Sequence, residues 1–170
     1  MNSTQIPHIA ISVGDFNGIG PEIILKTLSD ADLGKSTPVI LSPVEVMEFV
    51  FSYLPSGNKL NVVENASQVK DGVINLLPIP AEKLKITPGV LSIQSGKVAM
   101  QSIEKGIEFG MNGITDALVT APISKEAVNM AGYKIPGHTE FLAAQTNTKS
   151  VLMMLVSGGL RVALVTTHLP

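Results

Sequence analysis

Apolar residues along this chain follow two rhythms that take turns. From His8 to Val13 an apolar run with β-branched residues stops at Gly14, which reads as a buried strand. After Gly20 a proline opens residues 21–34, where Ile23, Ile24 and Leu28 share one helical face. Pro21 presets φ at the first helical position and Glu22 complements the helix dipole, so strand, glycine turn and helix follow in order. Residues 37–42 predict a second strand and residues 44–53 a second helix. Between 60 and 88, short β-prone runs are broken by Pro78, Pro80 and Pro88, which predicts edge strands and loops rather than a central layer. Residues 95–113 have helical spacing, with Val98, Ile103, Ile107 and Met111 on one side and Gly113 as the terminating cap. Residues 116–122 predict another buried strand, and 124–132 a short helix capped at Ser124 and ended by Gly132.

The last third changes pattern. Residues 137–146 read as a short helix, and 150–166 as two apolar runs split by Gly158 and Gly159, the signature of a hairpin. Alternation of strands and helices over residues 8–132 predicts an α/β fold, a mostly parallel sheet in α/β/α layers with an antiparallel hairpin arm added. The expected boundary separates a first domain, 1–135, from the start of a second, 136–170.

Composition narrows the function classes. With 170 residues, 45% of them hydrophobic, the chain can bury a sizeable core. Charged residues are 15% and the net charge is -2, so no basic field exists to hold a nucleic acid. With no cysteine, His, Asp and Glu are the strong metal ligands left. The first residues lack a secretory pattern and no run is long and apolar enough for a bilayer, so a cytoplasmic protein without membrane contact is expected.

Three polar clusters follow predicted strands, at residues 14–22, 120–126 and 166–170, where ligands sit in open α/β sheets. The glycine segment 14–20 lacks Rossmann and P-loop spacing; it reads either as a backbone amide cradle for an anion or as a tight connection that needs glycine dihedrals. Lys125 lies in the first turn of a helix, where the dipole disfavours a cation unless an anion is near; the plain alternative is a solvated lysine. His138, followed by Thr139 and Glu140, offers a ring nitrogen, a hydroxyl and free amides at a helix start, serving either a ligand or the cap. His168, at the end of a strand, is placed for a divalent metal. His8 reads as a solvated residue ahead of the first strand.

Taken together, ISVGDFNGIGPEI at 11–23, VTAPISKEAV at 119–128, PGHTEFLA at 136–143 and MMLVSGGLRVALVTTHLP at 153–170 resemble the 4-hydroxythreonine-4-phosphate dehydrogenases of pyridoxal phosphate biosynthesis. The resemblance implies a fold like that of isocitrate and isopropylmalate dehydrogenases, with an active site completed across a homodimer. It implies that His138 and Thr139 contact a small phosphorylated substrate and that His168 ligates a divalent metal such as zinc, magnesium or cobalt. Lys125 would line the cleft as a candidate catalytic residue, and Ser124 stands where the family commonly has a histidine. The implied reaction is oxidation of 4-phosphooxy-L-threonine by NAD or NADP, followed by decarboxylation. Relatives of the family oxidise threonate or erythronate 4-phosphate by the same chemistry, which is the alternative. A third reading is a non-catalytic dimerising module that uses the hairpin. By this resemblance the chain is the amino-terminal half of a longer protein, so the fold it carries is incomplete and the chain alone is expected to be inactive.

Overall fold

The computed structural model describes residues 6–30, 32–54, 59–135 and 137–165. They divide into two compact units, Met1–Lys134 and Ile135–Pro170.

In the first unit, strands β1 (His8–Ser12), β2 (Thr37–Ser42), β3 (Leu60–Val62), β4 (Ile74–Pro78) and β5 (Ala117–Thr120) form one parallel sheet in the order β3-β4-β2-β1-β5. Side chains alternate across a strand, and here both faces are apolar because both are covered. Ile40, Ile74 and Leu76 pack with Ile24, Leu25 and Leu28 of α1 (Gly20–Ser29) and with Met47 and Val50 of α2 (Val44–Tyr53). Their neighbours Val39, Leu41 and Leu77 point the other way, with Ala10, onto Phe109 of α3 (Ile93–Met111). The α/β/α layering expected from the alternation is therefore present, with the core split by the sheet.

The segment 60–88 departs from expectation. β3 is an edge strand, but β4 lies between β3 and β2 and is buried from Ile74 to Leu77. The prolines that argued against a central strand stand at its last residue and beyond it, so they remove no ladder donor from its interior. Asn75, wholly buried in β4, is tolerated because its Oδ1 accepts from the Lys70 amide at 3.0 Å and its Nδ2 donates to the Pro38 carbonyl at 3.2 Å. His8 also differs from its reading as a solvated residue. It is the first residue of β1, with Nε2 3.0 Å from Asp71 Oδ1, which also accepts from Thr37 Oγ1 at 2.8 Å. Those hydrogen bonds, Thr37's first, hold the Asp71 carboxyl below its ordinary pKa.

On the opposite edge, β5 pairs with β1 alone among the described strands, and Val119 on it is 51% exposed. α4 (Lys125–Met130) packs against α3 so closely that a Cβ added at Gly96 would lie 2.1 Å from the Ala127 carbonyl oxygen. Just past α4, Tyr133 Oη approaches Oε2 of Glu104 on α3 at 3.5 Å. Burial raises the Glu104 carboxyl above its ordinary range, and burial together with the facing carboxylate raises the Tyr133 hydroxyl.

The second unit holds α5 (His138–Gln145) and an antiparallel hairpin, β6 (Met153–Ser157) with β7 (Leu160–Leu164), in the register Met153↔Leu164 to Ser157↔Leu160. The expected turn is at Gly158, whose φ of 53° requires the left-handed region, and Gly159. The strand side chains are exposed on both faces apart from the half-buried Leu164. Among the described residues no helix is long and apolar enough to cross a membrane.

Two outcomes test this packing. Gly96→Ala is expected to lower stability by about 1–3 kcal/mol, since backbone must move, whereas Gly110→Ala in the same helix, with nothing within 4 Å of its added Cβ, is expected to raise it by about 0.5–1 kcal/mol; urea denaturation reads both. A carboxyl whose folded pKa is raised favours the folded state while protonated, and that advantage disappears as pH rises through the folded value. Glu104→Gln is therefore expected to raise the thermal midpoint at neutral pH and leave it unchanged in acid below the ordinary glutamate range; a gain of equal size at both pH values would assign it to something other than the ionised carboxylate.

Candidate functional site

The carboxyl ends of the five parallel strands bring the segments that follow them to one rim of the sheet, where open α/β folds place ligands. Gly14 takes a φ of 69° and its Cα faces the loop after β5, so that an added Cβ would lie 2.3 Å from the Pro122 carbonyl oxygen. That carbonyl accepts the Asp15 amide at 2.9 Å. Gly20 is equally confined, its added Cβ falling 2.6 Å from the Val13 carbonyl.

The amides of this turn are directed inward. Asp15 donates to Pro122, Asn17 donates to Asp15 Oδ1 at 3.0 Å, and Gly18 donates to the Asp15 carbonyl at 3.0 Å. Of the two readings of the glycine segment, the tight connection is the one this geometry supports. Its glycines serve close backbone approach, and three of its amides are already paired.

Asn17 is the residue the sequence reading missed. It is 3% exposed and serves as the hub of the segment 87–92. Its Oδ1 accepts the Thr87 amide at 2.8 Å, its Nδ2 donates to the Val90 carbonyl at 2.9 Å and to Ser92 Oγ at 3.4 Å, and its own carbonyl accepts the Gly89 amide at 2.7 Å. Ser92 is in turn the N-cap of α3, with Oγ accepting the Ser95 amide at 3.0 Å. The readable part of the signal was the serine three residues before Ser95 and the Thr-Pro-Gly turn at 87–89. Nothing in the spacing linked either to Asn17.

The expected site residues fall as follows. Lys125 is the first residue of α4 and is exposed, and Ser124 caps that helix by accepting the Ala127 amide at 3.2 Å. Both belong to the first unit, whose rim includes the Pro122 loop that leads into them. His138 opens α5 and is half-buried, Thr139 beside it is exposed, and both belong to the second unit. His168 lies outside the described residues. Among the described residues no group of three His, Cys, Asp or Glu is placed to hold a metal ion, so the metal expectation rests on the resemblance alone.

A sequence profile of the family described as "Pyridoxal phosphate biosynthetic protein PdxA" matches residues 34–170. This chain belongs to the PdxA family. Over 166 residues it is 36% identical to the D-threonate 4-phosphate dehydrogenase of Pectobacterium atrosepticum, covering 95% of this chain and 51% of that protein. It is 34% identical over 165 residues to the 4-hydroxythreonine-4-phosphate dehydrogenase of Bacteroides thetaiotaomicron, covering 96% of this chain and 45% of that one. A crystal structure of a 4-hydroxythreonine-4-phosphate dehydrogenase from Burkholderia phymatum superposes with a TM-score of 0.86 at 35% identity, covering 98% of this chain and 52% of that structure. The chain thus spans about half the length of the PdxA relatives it matches.

Removing the Asn17 side chain strands buried partners. Asn17→Ala is expected to lower stability by about 1–3 kcal/mol and to speed amide exchange at Thr87 far more than in β2. Unchanged protection at Thr87 would show that Asn17 is not what holds the segment.

Proposed function

We propose that this chain carries part of the active site of a nicotinamide-dependent dehydrogenase of a four-carbon 3-hydroxy acid 4-phosphate. The observation that carries the reading is membership of the PdxA family together with relatives named for two such substrates. In 4-phosphooxy-L-threonine and threonate 4-phosphate the phosphate, the carboxylate and the reacting hydroxyl are shared, and only the group on C2 differs. The first is the favoured substrate from the motif resemblance; the second is favoured by the naming of the relative from Pectobacterium atrosepticum.

In this reading His138 and Thr139, an imidazole and a hydroxyl on successive residues at the start of α5, bind and orient the substrate. Lys125 offers a fixed positive charge at the start of α4, where the helix dipole gains from a neighbouring anion. When bound, the dinucleotide supplies the hydride acceptor and a divalent ion, with His168 among its ligands, supplies Lewis acidity. With that acceptor present, loss of the C3 hydrogen as hydride and of the hydroxyl proton to a base would leave a ketone β to the carboxylate, a product that would be disposed to lose carbon dioxide. Active assembly as a homodimer belongs to the same proposal.

The test is the absorbance of reduced nicotinamide, followed with NAD or NADP, a divalent ion and each acid phosphate in turn, in this 170-residue chain and in a protein of its relatives' full length. Reduction by the longer protein alone is expected. Reduction with one acid phosphate and not the other assigns the C2 group. Absence of reduction with either substrate in both proteins would overturn the dehydrogenase reading.

A further inference from the structure

The dipeptide Asn-Gly occurs twice in the chain, at Asn17–Gly18 and at Asn112–Gly113. It is a self-reactive pair, because glycine puts no side chain between the asparagine amide and the next backbone nitrogen. Attack of that nitrogen on Cγ forms a C–N bond and closes a succinimide, while the side-chain nitrogen leaves as ammonia. Water then opens either carbonyl of the ring, giving aspartate or isoaspartate. Nothing is oxidised or reduced, and water is the one co-reactant. The asparagine side chain must be free to turn toward the following amide, so the fold decides which copy reacts.

Asn17 is locked. It is buried, its side chain is bonded to Thr87, Val90 and Ser92, and the Gly18 amide donates to the Asp15 carbonyl at 3.0 Å. Releasing either reacting group means detaching the 87–92 segment.

Asn112 is exposed and is the C-cap of α3. The helix closes there on Gly113, whose φ is 67°: the Gly113 amide donates to the Gly110 carbonyl at 3.1 Å and the Ile114 amide to the Phe109 carbonyl at 2.9 Å. Asn112 Nδ2 adds a bond to the Glu108 carbonyl at 2.9 Å. Helix ends fray, and nothing lies within 4 Å of a Cβ added at Gly110 or Gly113. Opening this turn therefore frees the Asn112 side chain and the Gly113 nitrogen together, with no packed neighbour at either glycine to displace.

We propose that Asn112 is a site of spontaneous deamidation, the member of the two Asn-Gly pairs that reacts in the folded chain, and that its products loosen the passage from α3 to β5. A carboxylate at this position cannot donate to the Glu108 carbonyl, so an acceptor meets an acceptor. It also places negative charge at the negative end of the helix dipole, where the last turn holds no basic residue. Isoaspartate routes the main chain through the side-chain carbon and lengthens the turn. The residue it shifts is Ile114, which packs on the cluster containing Phe109 just before β5.

Trypsin separates the two pairs, since Asn17 precedes Lys26 and Asn112 falls in residues 106–125, between cleavage sites at Lys105 and Lys125. After incubation of the folded 170-residue chain in mildly alkaline buffer, mass spectrometry is expected to find the acid products of 106–125, as two isomers, accumulating about tenfold faster than those of the Asn17 peptide. In urea the two rates are expected to converge. Equal rates in the folded chain, or no conversion of 106–125 there, overturns the assignment. Asn112→Asp supplies the product without the reaction and is expected to lower the thermal midpoint by about 2–4 °C at neutral pH, and by less in acid, where the new carboxyl is protonated. An unchanged midpoint overturns the consequence drawn for α3.

Discussion

The Gly14 backbone meets the Pro122 carbonyl with no room for a side chain between them, and the carboxyl rim of the sheet is referred to that contact. From it a closed circuit of contacts runs through the unit. The Pro122 loop leads into α4, and the Ala127 carbonyl of α4 touches Gly96 of α3. α3 begins at Ser92, Ser92 is bound by Asn17, and Asn17 lies in the turn that Gly14 opens. In a close-packed interior such a circuit has one solution, because displacement at any member must be absorbed by all the others. The segment that bears Lys125 is held by this frame.

Much of that frame was legible in the sequence. Pro21, Ser124, Gly113 and Gly132 marked helix ends through local chemistry, since a preset φ, a capping hydroxyl and a left-handed residue act within a few positions. Strands β1 and β2 were legible because both faces of a covered parallel sheet demand apolar residues; β5 was legible as a strand, but it lies at the edge and alternates between exposed and half-buried residues rather than being buried as expected. β4 was misjudged as peripheral because the prolines near it were counted without their position: at a strand's end they interrupt nothing. The Asn17 hub was not legible for a different reason. It joins residues distant along the chain, Asn17 to Thr87, and no periodicity records a pairing made only by folding.

Chemistry and architecture are recorded differently in this chain. The motif residues that signal the PdxA family include exposed side chains such as Lys125 and Thr139, which the fold does not require. Residues that the fold does require, such as Gly96 and Asn75, carry no chemistry of their own. A substitution in the first set leaves the packing in place, while one in the second changes whether the first unit holds its shape.

Among the described residues the outer side of β5 has no strand partner, and that bears on how this polypeptide behaves in solution. A parallel edge strand presents a row of unpaired amides and carbonyls, and here it also carries the half-exposed Val119. The net charge of -2 gives little mutual repulsion between copies. Molecules that meet edge to edge can extend one another's sheets, so crowding favours intermolecular strand addition and the apparent stability of the chain becomes a function of its concentration.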